Sequence, residues 1–391
     1  MDVGIVLTAY KRPEILQLQI NEINNQTYPI KNIYLFQDGI DSYYKIQFDD
    51  IFLSQFNYVY ISDKNEGVNG RFKYAAKYVK EEFVCIFDDD TIPGNRWIEN
   101  CVNEFKKKQG VYGTNGIIIN DSMNYPYDKI DIGWHNPNRE TIQVDFVGHA
   151  WFCKTKWLDY MINKIDILGY KYVGEDMALS YACQQIGINT YVPPHSYDNI
   201  ENWGSLPYYG YKFGISQNAI SVNSDNLKMM NSALMKLHDM GWKFIKENDN
   251  EYIDKVNKKL ETNPKCFLIN NIKKVVKNKK IALYGAGKMG HKFYDFLSGQ
   301  NIKVNFFIET EKNKDYLEIN GNKIKVLDIH ELKKESIDII ILSLSYVNHD
   351  KIREYISESY TIFPEKKIGY DYDKLVNELF NIMITINMQV I

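Results

Sequence analysis

The sequence has few of the features that mark secreted or membrane-spanning chains. Its 391 residues include only five cysteines, which are scattered and form no Cys-x-x-Cys pair, so neither a disulfide framework nor a zinc site is supported. No run of 18 consecutive apolar residues occurs, and no membrane-spanning helix is expected. Basic residues are in no excess, because the formal net charge is -3. The composition therefore gives no indication of a nucleic-acid partner.

The first residues also lack the basic region and the cleavage site of a signal peptide, and residues 1–7 are predicted to form the first strand instead. With so few cysteines, a reducing cytoplasm is the expected compartment. Peripheral contact with the inner face of the plasma membrane and assembly into a homo-oligomer are both left open.

Charge is divided unevenly along the chain. Residues 1–225 contain 20 Lys and Arg against 28 Asp and Glu, a net charge of -8, whereas the remainder contains 27 against 22, a net charge of +5. The acidic part is compatible with a divalent cation site, and the basic part with phosphates or an anionic membrane surface. Solvated faces of two domains are the simpler explanation of both.

An α/β fold in two domains is predicted from the order of apolar runs. Strand-like runs alternate with helix-period segments in the first region, which is typical of a largely parallel sheet. The predicted strands there are 3–8, 33–37, 58–61, 83–87 and 144–147, and the predicted helices are 13–25 and 70–80. Helix periodicity follows until about residue 279, and further strands are predicted at 281–284, 304–308 and 337–344. We therefore predict domains at 1–222 and 279–391, joined by a helical connector at 223–278.

The sharpest motif is a run of three acids, Asp88-Asp89-Asp90, directly after the apolar strand 83–87. Ligands of open α/β sheets bind at the carboxyl ends of the strands, and three adjacent carboxylates repel one another unless a cation or hydrogen-bond donors neutralise them. A hard divalent cation that keeps positions open for a diphosphate suits such ligands. The alternative is an exposed acidic turn that caps the next helix.

Five motifs in order over residues 1 to about 222 resemble a GT-A glycosyltransferase of the inverting family 2 type. They are Leu7-Thr8-Ala9-Tyr10-Lys11-Arg12-Pro13, Phe36-Gln37-Asp38-Gly39, Asn65-Glu66-Gly67 with Arg71, Asp88-Asp89-Asp90 and Gly174-Glu175-Asp176-Met177. The resemblance implies a GT-A nucleotide-sugar-binding domain that uses Mn²⁺ or Mg²⁺. It implies transfer of a hexosyl or N-acetylhexosaminyl group from a UDP-sugar to a glycan or lipid-linked acceptor, in bacterial surface polysaccharide synthesis.

The resemblance also implies a role for each matching residue. Asp90 is expected to hold the metal, with Asp88 as a further ligand. Contacts with the nucleotide-sugar donor are expected from Thr8, Tyr10, Arg12, Asp38, Asn65, Arg71, Asp88 and Asp89.

Asp176 is the expected base of this reaction, with Glu175 second. An inverting transfer needs one carboxylate to deprotonate the acceptor hydroxyl as it attacks the anomeric carbon. The alternative role of both acids is to stabilise the start of a helix over 177–186, where negative charge suits the helix dipole. The two roles are compatible.

Two histidines and two tryptophans complete the candidate site. His195 follows a strand and is a candidate third metal ligand, since a neutral imidazole suits Mn²⁺; a structural histidine is the alternative. His149, Trp151 and Trp203 are candidates for contact with the donor sugar or the acceptor. For the tryptophans, ordinary burial in the core is the alternative.

The second domain contains Gly285-x-Gly287-x-x-Gly290 directly after a strand and at the start of a helix, which is the context of a dinucleotide-binding turn. An acid, Glu309, ends the next strand, where a ribose-binding carboxylate would be placed. This region resembles small Rossmann-like modules appended to bacterial sugar-transfer enzymes. Its turn is expected either to bind a nucleotide-type ligand or to be a remnant used in assembly.

Three other functions stay open at this point. A nucleotidyltransferase would need a glycine-rich loop after the first strand, which is absent from residues 8–12. An NAD(P)-linked or nucleotide-sensing protein would act through the second domain. A non-catalytic carbohydrate-binding protein would not need the acidic motifs.

Overall fold

The computed structural model describes residues 1–10, 12–39, 48–134, 136–196, 199–206, 209, 224–249, 251–260, 276, 278–344, 349–356 and 360–363. The chain divides into two compact units, Met1–Glu261 and Thr262–Ile391. Among these residues, no helix combines the length and the apolar composition that crossing a bilayer requires. Tyr208 and Tyr211, which the sequence suggests together with Tyr209 as acceptor-side or lid residues, lie outside the described ranges. The apolar segment 379–386, which is too short to span a bilayer and is a candidate for contact with a partner subunit or the membrane interface, also lies outside them.

Eleven strands of the first unit are described. They are β1 (Val3–Ala9), β2 (Asn32–Gln37), β3 (Tyr58–Ile61), β4 (Phe83–Phe87), β5 (Gly110–Tyr112), β6 (Asn115–Ile119), β7 (Lys129–Gly133), β8 (Ile142–Val144), β9 (Phe146–Gly148), β10 (Trp151–Lys154) and β11 (Asn189–Val192). Eight of them form one sheet in the order β3-β2-β1-β4-β10-β5-β11-β8, and β7-β6-β9 form a second sheet. Because β1 runs parallel to both β2 and β4, their carboxyl ends meet at one edge.

The α-helices of the first unit whose bounds are described are α1 (Pro13–Asn24), α2 (Asp50–Leu53), α3 (Gly70–Tyr78), α4 (Trp97–Lys107), α5 (Leu158–Leu168), α6 (Glu175–Gln184), α7 (Ser224–Asp239), α8 (Ile245–Asn248) and α9 (Tyr252–Asn257). Proline occupies the first position of α1, where its fixed φ and missing N–H cost nothing. Helix α1 buries Leu16, Ile20 and Ile23 in the core around the sheet, as expected for apolar residues spaced three and four apart.

The predicted strand 144–147 is wrong as one element. The structure divides it at Asp145, so that β8 and β9 belong to different sheets. Asp145 is buried, and its carboxylate accepts hydrogen bonds from the backbone N–H groups of Ile119 and Ile245, both at 2.7 Å. The Asp145 carboxylate thus satisfies backbone N–H groups of two other segments, at the point where a continuous strand would have formed backbone hydrogen bonds with its neighbour.

The described helices of the predicted connector pack as part of the first unit. Leu237, Trp242 and Phe244 are buried in the same core as the large sheet, and full burial of one such side chain contributes about 1.5–3 kcal/mol. The Tyr181 hydroxyl of α6 also donates to the carbonyl oxygen of Met240 at 2.9 Å. The first unit therefore extends beyond residue 222, to Glu261.

The second unit is a smaller α/β sheet. It contains β12 (Ile281–Tyr284), α10 (Lys288–Gly299), β13 (Phe306–Glu309), β14 (Tyr316–Ile319), β15 (Asn322–Asp328), β16 (Ile339–Leu342), α11 (His349–Ile356) and β17 (Thr361–Phe363). The sheet order is β14-β15-β13-β12-β16-β17, and among these described strands only the pairing of β14 with β15 is antiparallel. The predicted α/β class with a second, smaller domain is confirmed.

Candidate active site

The three acids lie on a tight turn at the carboxyl end of β4. The turn is closed by a hydrogen bond from the Thr91 N–H to the Asp88 carbonyl oxygen at 3.3 Å. Beside it, the Thr8 hydroxyl at the end of β1 donates to the Phe87 carbonyl oxygen at 3.1 Å. Thr8 therefore joins the ends of the two central strands, and the acids extend beyond them at the sheet edge.

Two arginines neutralise most of this charge. Arg12 contacts Asp89 at 2.6 Å and Asp90 at 3.2 Å, and Arg71 contacts Asp88 at 2.7 Å and Glu175 at 3.2 Å. Burial raises the pKa of Asp88, but the charge of Arg71 and a hydrogen bond from His149 outweigh it and lower the pKa to about 2. Burial and the neighbouring acids raise the pKa of Asp89 to about 6, despite Arg12. The same turn thus contains one strongly acidic and one weakly acidic carboxyl group.

His149 joins the acids through an unusual backbone conformation. Its φ is 52° and that of Ala150 is 45°, a left-handed pair that costs non-glycine residues about 1–3 kcal/mol each. This conformation places His149 Nδ1 2.7 Å from Asp88 Oδ2 while 47% of the side chain stays exposed. Partial burial lowers the pKa of His149, but the contact with Asp88 raises it overall, to about 9. Such strain accumulates at functional sites.

The ligand atoms of Asp88, Asp90 and His149 all lie within 4.8 Å of one another. Two carboxylates and an imidazole are a suitable donor set for a divalent transition-metal ion. Binding would displace the proton that His149 shares with Asp88, because an imidazole ligand must be neutral at the ligating nitrogen. The residues therefore fit the metal that the sequence predicts.

Glu175 and Asp176 occupy the first turn of α6, after Gly174 with a φ of 92°. Arg71 engages the Glu175 carboxylate, whereas Asp176 Oδ1 accepts from its neighbouring Met177 N–H at 2.7 Å. Burial raises the pKa of Asp176 to about 6, and burial with the charge of Asp176 also raises the pKa of Glu175. A Cβ atom on Gly148, the residue before His149, would lie 3.8 Å from Asp176 Oδ2. The base candidate thus lies beside the histidine and the acids.

Three predicted donor-binding residues, Tyr10, Asp38 and Asn65, follow β1, β2 and β3 respectively and organise the loop that follows β3. Asp38 accepts hydrogen bonds from the N–H groups of Gly39, Glu66 and Gly67, at 2.9, 2.7 and 3.2 Å. Asn65 Nδ2 donates to the Tyr10 hydroxyl at 2.8 Å. Asp38, Tyr10 and Asn65 are therefore brought together, and three backbone N–H groups hold the Asp38 carboxylate in place.

Three of the predicted site residues do not reach the site surface, and these expectations are corrected. His195 is fully buried; its Nδ1 contacts the Pro193 carbonyl oxygen at 2.8 Å and its Nε2 the Thr114 hydroxyl at 2.7 Å. With both ring nitrogens engaged and burial lowering its pKa to about 4, His195 is a neutral structural histidine rather than a metal ligand.

The two tryptophans are core residues. Trp151 is 2% exposed and Trp203 is 1% exposed, so neither offers a face to a sugar ring. The Trp151 indole N–H donates to the Val147 carbonyl oxygen at 2.8 Å, and its ring lies 5.1 Å from the Arg71 guanidinium. Trp151 thus supports Arg71 from the core through a cation–π contact.

Sequence reasoning missed Gln19 of α1. Its side-chain amide donates to the carbonyl oxygens of Asp88 and Thr91, and it therefore contacts both ends of the acidic turn. The available signal was a polar residue at a position three residues after Leu16 and four before Ile23, on the buried face of an amphipathic helix.

The glycine turn of the second unit has the expected local geometry. Gly285 has a φ of 106°, and a Cβ atom on Gly290 would lie 1.8 Å from the Gly285 carbonyl oxygen. Gly287 precedes α10 directly, and a Cβ atom there would meet no atom within 4 Å. Glu309 ends β13 as predicted. The turn thus has the close helix packing and the open backbone approach of a nucleotide-binding turn.

Comparison with known proteins assigns the two units separately. Residues 4–159 match the family model described as glycosyl transferase family 2, and residues 277–369 match the model described as C2185-like, N-terminal. No curated protein matches the chain. The predicted resemblance to a GT-A glycosyltransferase is therefore confirmed for the first unit, although the match ends before Glu175 and Asp176.

Two solved structures are similar to parts of the chain, both at low sequence identity. A mannosyltransferase, PcManGT from Pyrobaculum calidifontis in complex with GDP-Man and Mn²⁺, is 12% identical over 49% of this chain and 54% of its own, with a TM-score of 0.32. Aspartate semialdehyde dehydrogenase II from Vibrio cholerae, complexed with ASA, is 15% identical over 22% and 30%, with a TM-score of 0.19. The chain spans about half and about a third of these two proteins.

Proposed function

We propose that the first unit is a metal-dependent inverting glycosyltransferase. It moves a hexosyl or N-acetylhexosaminyl group from a nucleotide-sugar, a UDP-sugar, to a hydroxyl group of a glycan or lipid-linked acceptor in bacterial surface polysaccharide synthesis. This chemistry would take place in the cytoplasm or at the inner face of the plasma membrane. The proposal is supported by the position of Asp88, Asp90 and His149 beside Asp176, in a unit whose residues 4–159 match the glycosyl transferase family 2 model.

Asp88, Asp90 and His149 would hold Mn²⁺ or Mg²⁺. When bound, the ion supplies positive charge that neutralises the nucleoside diphosphate as it leaves. Arg12 and Arg71 hold the carboxylates in position by their ion pairs at 2.6–3.2 Å. His149 serves as a ligand in this proposal, rather than as the sugar or acceptor contact that its sequence position suggested.

Asp176 is the better of the two base candidates. A general base must be ionised before it takes the acceptor proton, and a pKa of about 6 leaves Asp176 ionised at neutral pH. Burial and the charge of Asp176 raise the pKa of Glu175 further, which disfavours the ionised form that a base needs, and the Glu175 carboxyl group contacts Arg71 at 3.2 Å. Glu175 therefore orients Arg71, which in turn holds Asp88.

The proposal is tested by incubating the full chain with a panel of nucleotide-sugars and following donor turnover, with Mn²⁺ and with a chelator. We expect turnover of at least one UDP-sugar that the chelator abolishes, and a product whose anomeric configuration, read by NMR, is opposite to that of the donor. Undiminished turnover in the chelator, or retained configuration, would contradict the metal requirement or the inverting mechanism respectively.

A second candidate function is nucleotide binding by the second unit. It is supported by the positive φ of Gly285, the open surroundings of Gly287 and the acid Glu309 at the end of β13. A fluorescence titration of the full chain with NADH and, separately, with UDP tests it. Saturable NADH binding that Gly287→Val removes would support an NAD(P)-linked or nucleotide-sensing role, and no binding would favour a remnant turn used in assembly.

A further inference from the structure

Gln19 connects helix α1 to the backbone of the acidic turn. It is 1% exposed, and its Nε2 donates to the Asp88 carbonyl oxygen at 2.6 Å and to the Thr91 carbonyl oxygen at 2.8 Å. The orientation of the amide follows from these contacts, because the reversed amide would place its oxygen against two carbonyl oxygens. One side chain thus holds both ends of the turn that carries three acids.

Burial of the Gln19 amide carries a cost in free energy. Its Oε1 is buried and has no hydrogen-bond partner among the residues that the structure describes, and an unsatisfied buried acceptor is unfavourable. An aliphatic side chain would fill the same space without that cost. The benefit therefore lies in the two donated hydrogen bonds.

The turn needs such a connection because its charges repel one another. Asp88, Asp89 and Asp90 are consecutive acids, and the ligand atoms of Asp88 and Asp90 lie within 4.8 Å of each other, so repulsion between like charges opposes this arrangement. Arg12 contacts the turn through its carboxylates, whereas Gln19 contacts only its backbone. The spacing between Asp88 and Asp90 depends on that backbone.

We propose that Gln19 is a positioning residue that sets the metal affinity of the turn by fixing the distance between the Asp88 and Asp90 ligands before the ion binds. This inference rests on the metal-dependent function proposed above. Loss of a group that orients metal ligands lowers metal affinity by about 10–100-fold, and Gln19 contacts the backbone of Asp88 and of Thr91, the residue after Asp90.

Gln26, which lies just after the end of α1, provides a matched control. It lies seven residues after Gln19, and its Nε2 donates to the Gly94 carbonyl oxygen at 2.8 Å and to the Glu22 carbonyl oxygen at 3.1 Å. Its Oε1 accepts from the Ile98 N–H at 3.1 Å. Gln26 therefore makes the same kind of connection to a segment that follows the acidic turn.

The test compares Gln19→Met, Gln19→Asn and Gln26→Met with the unmodified full chain. Binding of Mn²⁺ alone is measured by electron paramagnetic resonance, and the melting temperature is measured without metal. We expect Gln19→Met to raise the Mn²⁺ dissociation constant about tenfold or more, with Gln26→Met within about twofold of the unmodified chain. Gln19→Asn, which is one methylene too short to reach both carbonyl groups, should also weaken binding and remains informative if Gln19→Met does not fold.

Three outcomes separate the possibilities. If the folded Gln19 variants bind Mn²⁺ as tightly as the unmodified chain, the positioning role is overturned. If the Gln19 and Gln26 variants lose the same amount of Mn²⁺ affinity, the loss reflects general stability of this region, and the positioning role is also overturned. If the unmodified chain does not bind Mn²⁺, the metal-dependent function itself fails, and the inference fails with it.

Discussion

The two units share a sheet arrangement but differ in the side chains at the equivalent edge. In the first unit β1 lies between β2 and β4, and in the second β12 lies between β13 and β16, all parallel. Each unit therefore has a point where the strand order reverses, which is where open α/β sheets bind ligands. The backbone alone predicts a cleft in both.

The side chains that follow β4 in the first unit differ in charge from those that follow β16 in the second. After β4 the chain places three carboxylates, held by two arginines and a histidine. After β16 it places Ser343, whose hydroxyl contacts the carbonyl oxygens of Tyr284 and Gly285 at 2.9 and 3.2 Å. The comparison teaches that the topology provides a place for a ligand, whereas a few charged side chains decide what reaction is possible there.

The largest effect should come from the base. Asp176→Asn keeps the size of the side chain but cannot accept a proton at neutral pH, so the transfer rate should fall by roughly two to four orders of magnitude. Donor and metal affinity should stay nearly unchanged, and stability should fall by about 1 kcal/mol or less, since asparagine also suits a helix start. Transfer rate, donor affinity and melting temperature are measured on the same variant.

Asp159→Asn is the control for this substitution, because Asp159 is likewise an acid in the first turn of a helix, α5. It should leave the transfer rate unchanged. A fully active Asp176→Asn enzyme would remove Asp176 from the role of base.

Removal of a metal ligand should have the next largest effect. Asp90→Ala should lower metal-dependent donor turnover by about two or more orders of magnitude, since the leaving diphosphate loses its charge stabilisation. Mn²⁺ binding should weaken in parallel. The exposed Asp166, which forms an ion pair with Lys73, supplies the control Asp166→Ala, and equal turnover in the two variants would contradict the metal site.

The pH profile should show the titration of Asp176. Its raised pKa means that the carboxylate is protonated, and inactive as a base, below about pH 6. The transfer rate at saturating metal should therefore rise with pH and reach half its maximum at about pH 6 or slightly below, because a bound cation favours the carboxylate. If the residual activity of Asp176→Asn shows the same acid limb, another group is responsible.

The sequence predicted the edge of the first sheet well because β1, β3 and β4 are largely apolar runs, and β3 and β4 are followed directly by polar residues. It predicted the acidic cluster for the same reason, whereas Asp176 as the base follows from the family resemblance and stays a prediction. It did not distinguish His149 from His195, since the difference depends on a left-handed backbone at 149–150 and on two hydrogen bonds of His195 to distant segments. Burial of Trp151 and Trp203 likewise follows from tertiary packing, which no local pattern encodes.

A truncation after Glu261 would sharpen the comparison between the units. All the candidate site residues of the proposed reaction lie before that point, and the buried residues Trp242 and Phe244 are retained. We expect donor turnover within about threefold of the full chain, as for removal of a separately folded domain. A chain ending at residue 222 loses these core residues and should fold poorly, as judged by its melting transition.

The smallest effect on sugar transfer should come from the glycine turn of the second unit. Gly290→Ala would place a Cβ atom 1.8 Å from the Gly285 carbonyl oxygen, so α10 must shift and the second unit should lose stability by a few kcal/mol, about the cost of overpacking a core. A Cβ atom at Gly287 meets no atom within 4 Å, so Gly287→Ala should leave the stability of the second unit nearly unchanged.

Because neither residue lies in the first unit, donor turnover should stay at the level of the unmodified chain in both variants. Calorimetry of the full chain, combined with a turnover assay, separates these effects. Loss of turnover in the stable Gly287→Ala variant would show that the second unit takes part in the reaction, and the division of chemistry between the two sheet edges would then be wrong.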